Sequence, residues 1–449
     1  MILDDVVVGM AQDFIGANNI PWFTRDGQFG TRYQGGKDAA ETRYSYTRPD
    51  KLTGLILRKE DRPILNYVVD EGEDVEPETY YPIIPMVLVN GTSGIGTGYS
   101  TLIPCHNPLD IINVLRLKLK GAFNEDLPMI FPWYNGFSGV IKVIDRRDKK
   151  KKGEFNIFTL NNNENKEIDE NIDDENIDEN LNDDENDFGN SFANNETRPL
   201  LSMITYGKYT VELNGTVIIT ELPIGRWPHD YHKWLEVLVE DKQITGFRDL
   251  SVDNSVYFEI YGFAIKPTFK SLKLQRTMGM SNMVLLDENS RPFRYNNAND
   301  IIDKFYEKRL PIYNIRKEYI LNNLSSEIKT LNHKIQFIQA VINGQISIIN
   351  KKKSSIYEAL DKLLIPHEIY DKSMNHHLSE DDITDLNLLI SEKQKEHDII
   401  KETRIEKIWL NELAELEEAY KQTLVKTTSQ KVKVGASKSK ARVVKKTKN

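Results

Sequence analysis

Seven aliphatic residues, Ile320, Leu324, Ile328, Leu331, Ile335, Ile338 and Ile342, recur at spacings of 4, 4, 3, 4, 3 and 4. An α-helix turns once in about 3.6 residues, so this spacing lays all seven along one narrow stripe, the pattern of a coiled-coil seam. Leu386, Leu389, Ile390, Ile405, Ile408, Trp409, Leu413, Leu416 and Tyr420 mark a second long helix over 384–420. Between the two, the pattern breaks at Pro366 and near His376-His377. Two such helices around a small globule predict an antiparallel coiled-coil arm, each helix about 50–65 Å long at 1.5 Å per residue. A compact helical bundle is the alternative.

Upstream of 299 the periodicities are shorter. Ile2, Leu3, Val6, Val7, Met10 and Phe14 predict a helix over 2–15, stopped by Gly16-Ala17-Asn18-Asn19. Asp26-Gly27 predicts a turn in a short hairpin between Trp22-Phe23 and Phe29. A second helix is expected after Gly35-Gly36, from Lys37 to about Tyr44. Helix, hairpin and helix in under fifty residues fit a helix-turn-helix or winged-helix unit. Tyr81 to Val89 reads as a strand, Asn90 to Gly98 as a tight loop, and Asn107-Pro108-Leu109-Asp110 as the start of a helix over 109–120. The segments 139–144, 206–222 and 255–264 alternate or carry β-branched runs. The fold class is therefore α+β, with expected boundaries at 1–138, 139–298, 299–420 and 421–449.

Charge is segregated along the chain. The formal net charge is −9, but residues 161–197 hold 14 Asp/Glu and one Lys, and the remainder is net +4. That tract contains 12 Asn and few large apolar groups, too little to offset the entropy of ordering, so it is expected to be a disordered insert between two strands. An acidic, DNA-mimicking arm is the other reading. The last 29 residues carry nine Lys and Arg442 with no acid, which predicts a disordered basic tail that binds polyanions. One cysteine, Cys105, excludes an internal disulfide framework and a cysteine zinc site. No run of about 18 apolar residues is available to span a membrane, and Met1-Ile2-Leu3-Asp4-Asp5 lacks the features of a signal peptide. A soluble protein of a reducing compartment is expected.

Two glycine-rich stretches invite a nucleotide reading, and both fail it. Gly30 to Asp38 nearly spells a P-loop, but Asp38 stands where a hydroxyl should meet Mg²⁺, and a carboxylate there repels phosphate. Gly94-Ile95-Gly96-Thr97-Gly98 has neither the third glycine nor the βαβ context of a dinucleotide fingerprint. Gly35-Gly36 at a helix N-terminus, with Arg32, Lys37 and Arg43 beside it, instead suits contact with a nucleic-acid backbone. Three cations in so short a stretch also fit a merely solvated face.

Phe29-Gly30-Thr31-Arg32, Gly35-Gly36-Lys37-Asp38-Ala39-Ala40 and Arg43-Tyr44 together resemble the active-tyrosine motif of the eukaryotic type IIA DNA topoisomerases. The resemblance continues in Glu76 to Gly91, Gly94 to Thr101, Ile219-Thr220-Glu221-Leu222-Pro223, Lys273-Leu274-Gln275, Ser281 to Leu285 and Phe305 to Leu310. It covers nearly all of 1–425 apart from the acidic tract. It implies a partial winged helix bearing Tyr44, an α/β tower domain, and a coiled-coil arm with a small helical gate. It implies Tyr44 as nucleophile and Arg43 as its phosphate partner, and Ile95 as an apolar wedge that enters the base stack, while Arg32 and Lys37 are DNA-backbone candidates by their charge. The implied activity is the transient double-strand break of an ATP-dependent topoisomerase. Double-stranded DNA and a second copy of the chain are the implied partners, with no membrane, and the nucleus the implied compartment. Mg²⁺ and ATP would serve the complete enzyme, both bound outside this segment, and no histidine precedes Tyr44 to act as the family's base. A catalytically inactive DNA-binding or chromatin scaffold of the same fold is one rival. A protein like the A-type chain of bacterial gyrase is another, disfavoured by the lysine-rich tail.

Overall fold

The computed structural model describes residues 2–96, 98–145, 158–161, 201–287, 289–348, 351–373 and 380–441. The acidic tract from 162 to 197 and the last eight tail residues lie outside them. Ten helices are described: α1 Ile2–Ala11, α2 Lys51–Ile56, α3 Met86–Val89, α4 Pro108–Leu119, α5 Pro228–Glu240, α6 Ala298–Ile342, α7 Lys353–Lys362, α8 His367–Ser373, α9 Glu380–Glu402 and α10 Ile405–Ala441. The strands are β1 Tyr67–Asp70, β2 Glu73–Pro77, β3 Thr92–Gly96, β4 Tyr99–Ile103, β5 Val140–Asp145, β6 Phe158–Asn161, β7 Leu201–Tyr206, β8 Lys208–Val211, β9 Val217–Glu221, β10 Gly246–Asp249, β11 Phe258–Tyr261, β12 Gln275–Gly279, β13 Met283–Leu286 and β14 Pro292–Tyr295. This is a mixed α+β chain.

It divides into two compact units. The first comprises Met1–Arg58, Pro82–Tyr306 and Leu413–Asn449; the second, Lys59–Tyr81 and Glu307–Glu412. The expected domains 1–138 and 139–298 thus share a unit, while Lys59–Tyr81 leaves it to pack with the helices.

The first unit is built on two four-stranded antiparallel sheets, ordered β10-β11-β9-β8 and β12-β7-β5-β6. α5 presents Tyr231, Leu235 and Leu238 to Val217, Ile219, Phe258 and Ile260 of the first sheet, making a closed apolar core. Ile141, Val143 and Met203 of the second sheet pack with Ile15, Tyr134 and Phe137. The amide of Asn19 donates to the carbonyls of Val89 (2.9 Å), His106 (3.0 Å) and Trp133 (3.1 Å), while its oxygen accepts from the Asn135 N–H (2.8 Å). One buried side chain thereby satisfies backbone groups from three separate segments.

In the second unit α6 and α9 run antiparallel. Lys393 meets Glu327, and Lys317 donates to the carbonyls of Lys401 (2.9 Å) and Thr403 (2.7 Å), so residue numbers rise on one helix as they fall on the other. Leu324, Leu331, Ile335 and Ile338 of the predicted seam are buried; Ile342 is exposed. The apolar globule at the far end joins Phe337 and Ala340 to Ile356, Leu360, Ile365 and Ile369.

Several local expectations are corrected. α1 stops at Ala11 rather than 15, because the Asn18 amide takes the carbonyls of Gly9 and Gln12, both at 2.8 Å. Tyr81 to Val89 is not a strand: Pro85 opens a single helical turn, α3, which buries Met86, Leu88 and Val89. An apolar run this short does not distinguish strand from buried helix by periodicity. The helix expected over 384–420 is interrupted at Thr403-Arg404, where Lys317 and the Thr403 hydroxyl (2.7 Å to the Ile399 carbonyl) draw off the last carbonyls of α9. The tail expected to be disordered from 421 is helical through Ala441. It contains no proline there, and one interior glycine costs a helix only about 1 kcal/mol.

Candidate functional site

The chain leaves α1, turns, and enters a short extended segment from Trp22 to Asp26. That segment does not pair with Phe29 as the Asp26-Gly27 signal predicts. It pairs with the chain returning at 46–50: Asp26 and Tyr46 exchange backbone hydrogen bonds (3.1 and 2.8 Å), Thr24 donates to Arg48 (2.9 Å) and Asp50 to Trp22 (2.9 Å). Residues 27–45 are thereby held as a loop with its two ends clamped together.

Inside this loop the glycines are structural. Gly30, Gly35 and Gly36 all have positive φ, 94°, 64° and 83°. A side chain at Gly35 would collide with the Trp227 ring, and one at Gly30 would come within 2.6 Å of the Gly36 backbone. Asp38 accepts from the Thr31 N–H (2.8 Å) and hydroxyl (2.6 Å), closing the turn. The expected helix from Lys37 to Tyr44 does not form, because this carboxylate and the two left-handed glycines offer the backbone a turn instead. Only Thr42–Tyr44 is helical, as a single 3₁₀ turn.

Tyr44 ends that turn with 67% of its surface exposed. The Arg43 guanidinium lies 5.1 Å from the centre of its ring and pairs with Glu41 at 3.0 Å. Both members of that ion pair are largely exposed, so the pairing is weak and an incoming anion can displace it. The site therefore presents an exposed phenol and an exposed guanidinium side by side on a clamped loop. Lys37 is exposed on the same loop.

Arg32 is elsewhere. It is 3% exposed and ion-paired with Glu221, which is equally buried. Glu221 also accepts from the Ser138 N–H (3.2 Å) and hydroxyl (3.0 Å) and from the Leu222 N–H (3.0 Å). Arg32 thus ties the tyrosine loop to β9 and offers no free guanidinium to a phosphate. Sequence spacing placed it among the cations without revealing that an acid 189 residues away neutralises it.

Ile95 stands on the β3–β4 hairpin, 78% exposed, between Gly94 and Gly96. The hairpin is braced by Asn282, which precedes β13: its amide donates to the Ser100 carbonyl (2.8 Å) and hydroxyl (2.5 Å), and its own carbonyl accepts from the Leu102 N–H (3.0 Å). Asn282 and Glu221 both lie in blocks that carry the family resemblance, yet neither spacing nor residue type marks them as supports.

Among the described residues no three His, Cys, Asp or Glu side chains gather as a metal site. No described helix is long and apolar enough to cross a membrane.

The family of the A-type chains of DNA gyrase and topoisomerase IV matches residues 2–180 and 186–447. The chain belongs to this family. It is 30% identical over 93% of its length to the mitochondrial DNA topoisomerase 2 of Dictyostelium discoideum and 31% identical over 93% to DNA topoisomerase 2 of Plasmodium falciparum. Against DNA topoisomerase 2 of Saccharomyces cerevisiae the identity is 30% over 81% of the chain. The chain spans 30%, 29% and 22% of those relatives' lengths. The fold matches the solved DNA-binding, cleavage and re-ligation domain of Plasmodium falciparum topoisomerase II with a TM-score of 0.76 at 28% identity, covering 95% of this chain and 56% of that one.

Proposed function

We propose that the chain is the breakage-reunion part of a type IIA DNA topoisomerase, with Tyr44 as its nucleophile. The observation that carries the reading is the exposed Tyr44 hydroxyl on a loop clamped at both ends, with Arg43 against its ring. In this reading the residues up to 138 hold a partial winged helix, the sheets form the tower, and α6, α9 and the globule beyond them form the arm and gate.

The Tyr44 oxygen loses its proton to a base and attacks a backbone phosphorus. The bond to the 3′ oxygen breaks, and that oxygen leaves as a 3′-hydroxyl after taking up a proton. The product is a 5′-phosphotyrosyl ester of nearly the same energy as the bond it replaces, so resealing is the reverse step and needs no ATP. Arg43 exchanges Glu41 for the phosphate and steadies the charge that grows there in the transition state. Lys37 contributes a backbone contact, and Ile95 opens a base step and bends the duplex. Two copies, related by a two-fold axis, place two Tyr44 residues on opposite strands. Mg²⁺ and ATP belong to the complete enzyme, and the nucleus is its compartment.

The test is covalent trapping. The chain, assembled with a magnesium-binding half and incubated with duplex DNA and Mg²⁺, should yield a DNA adduct after denaturation. Tyr44→Phe should bind DNA with nearly unchanged affinity and yield none. An adduct from the Phe variant overturns the assignment of Tyr44; binding without any adduct from the parent chain favours an inactive scaffold.

A further inference from the structure

Residues 37–43 lead into Tyr44, and their backbone turns back on the loop itself. The Ala39 N–H donates to the Gly36 carbonyl (3.4 Å) and that of Ala40 to Gln28 (2.9 Å), while Asp38 closes on Thr31. The position of Tyr44 is therefore inherited from the earlier half of the loop, which meets α5 and the sheets through Arg32, Tyr33 and Gly35. Tyr33 is gripped at three points. Its N–H donates to the Asp253 carbonyl (3.2 Å), its carbonyl accepts from the His229 N–H (2.9 Å), and its hydroxyl donates to Asp249 Oδ2 (2.9 Å). The His229 N–H belongs to the first turn of α5, which Trp227 leaves without a side-chain cap, so the loop carbonyl takes a donor that the helix itself cannot use.

Asp249 ends β10 with a nearly buried carboxylate that accepts from three donors. Oδ2 takes the Tyr33 hydroxyl and His232 Nδ1, both at 2.9 Å, and Oδ1 takes the Ser251 N–H (2.9 Å). One carboxylate thus joins the tyrosine loop to α5 and to the end of a strand. His232 is itself held: the Phe247 ring meets it edge-on at 5.0 Å, and Glu236, one turn further along α5, lies 3.6 Å from Nε2. Burial and the Asp249 carboxylate push the Tyr33 pKa up to about 12, so the phenol stays a donor at neutral pH. Two carboxylates at this spot repel a phosphate, so the cluster is a support and not a contact for nucleic acid.

We propose that Tyr33, Asp249 and His232 are positioning residues for Tyr44, a hydrogen-bonded strut that sets the tyrosine loop so that the Tyr44 hydroxyl meets its phosphorus in line. The buried Arg32–Glu221 pair anchors the loop in the interior; the strut lies nearer the surface, where Tyr33 is half-buried and loss of its hydroxyl leaves the core intact. A strut that acts through the loop changes rate rather than binding, because a small displacement of the nucleophile slows attack steeply while the duplex contacts remain. The role rests on the reading of Tyr44 as nucleophile.

The experiment follows the full chain, assembled with a magnesium-binding half, for the single-turnover rate of adduct formation at saturating duplex and for the duplex Kd. Tyr33→Phe and Asp249→Ala should each slow the adduct about tenfold, with Kd within about twofold of the parent's. The double variant should be no slower than the slower single one, since both remove the same bond. Asp249→Asn, whose amide oxygen still accepts from the phenol, should recover part of the rate. His232→Ala, which keeps the phenol–carboxylate bond but frees the carboxylate behind it, should lose less than Asp249→Ala. Tyr261→Phe breaks a comparable bond within β11, 2.6 Å to Glu259, and should leave the rate unchanged. Rates in Tyr33→Phe and Asp249→Ala equal to the parent's overturn the strut and leave the Tyr44 reading standing. A Tyr33→Phe loss that appears equally in Kd, or equally in Tyr261→Phe, overturns it too. A parent chain that yields no adduct overturns both.

Discussion

Asn282 holds Ser100, and Ser100 is the residue paired with Ile95 across the β3–β4 hairpin. Ile95 is thus backed by an amide that grips both the carbonyl and the hydroxyl of its cross-strand partner. Arg294 donates to the Asn282 oxygen (3.2 Å), and the Val284 N–H to the Thr101 hydroxyl (3.2 Å), so β13 and β14 brace the hairpin as a unit.

Asn282→Ala should therefore release the hairpin while leaving Ile95 in place. Two part-buried hydrogen bonds are lost, a cost of about 1–3 kcal/mol in total. Duplex bending, read by energy transfer between end labels, should fall toward that of Ile95→Ala, with affinity changed less than bending. Bending equal to that of the parent chain would show that the hairpin needs no brace.

Arg32 and Glu221 give a prediction of opposite kind. Each is 3% exposed, and Glu221 also serves Ser138 and Leu222. Removing one member strands the other charge in the interior, which typically costs ~3–5 kcal/mol. Arg32→Ala should lower the melting temperature by many degrees and leave the salt slope of duplex binding unchanged in whatever fraction stays folded. A lowered slope with intact stability would return Arg32 to the DNA surface.

How far the sequence reached follows from the range of each interaction. The seam from Ile320 to Ile338 and the strands near 140, 218 and 258 were legible, because period and β-branching are local. Tyr44, Arg43 and Ile95 are singled out only through resemblance, since one exposed tyrosine looks like any other in composition. The fold of residues 27–45 was not legible. It depends on Asp38 reaching Thr31, on Gln12 donating to the Phe29 carbonyl (2.9 Å), and on Trp227 covering Gly35, contacts that cross up to 192 positions. Arg32 was misplaced for the same reason: charge can be counted along a chain, but its neutralisation cannot.

His106 supplies a pH dependence. The ring is wholly buried, its Nε2 has no partner, its Nδ1 lies 3.3 Å from the Leu88 carbonyl, and burial pushes its pKa down to about 4. The folded state keeps the ring neutral, while the unfolded chain takes up a proton near pH 6.5. Its contribution is fully present above about pH 6.5 and is lost as pH falls toward 4, reaching ~3 kcal/mol. Denaturant melts at pH 7 and pH 4.5 should show a smaller difference for His106→Leu than for the parent chain. Equal differences would mean that His106 does not titrate on unfolding.

The second unit is locked by a buried polar knot. Asp61 accepts from Arg309 (2.6 Å) and Arg316 (3.3 Å), Arg316 reaches Glu412 (2.6 Å), and the Tyr313 hydroxyl donates to Glu412 (2.6 Å). Both guanidinium groups lie over the Tyr313 ring, at 4.2 and 4.5 Å, and that ring stacks on Trp409. Asp61, Arg309 and Arg316 are all at most 3% exposed, so water does not compensate a lost partner. Two positive and two negative groups balance only when all four are present. Asp61→Ala leaves two guanidinium groups facing one carboxylate and should destabilise this unit by ~3–5 kcal/mol. Hydrogen exchange should quicken in α6 around Arg309 to Arg316 and near Glu412, and leave β5 and β7 of the first unit protected. The paired change Asp61→Leu with Arg309→Met, which restores the balance with apolar groups, should recover part of the loss. Protection in Asp61→Ala equal to the parent's would show that Asp61 holds neither arginine in place.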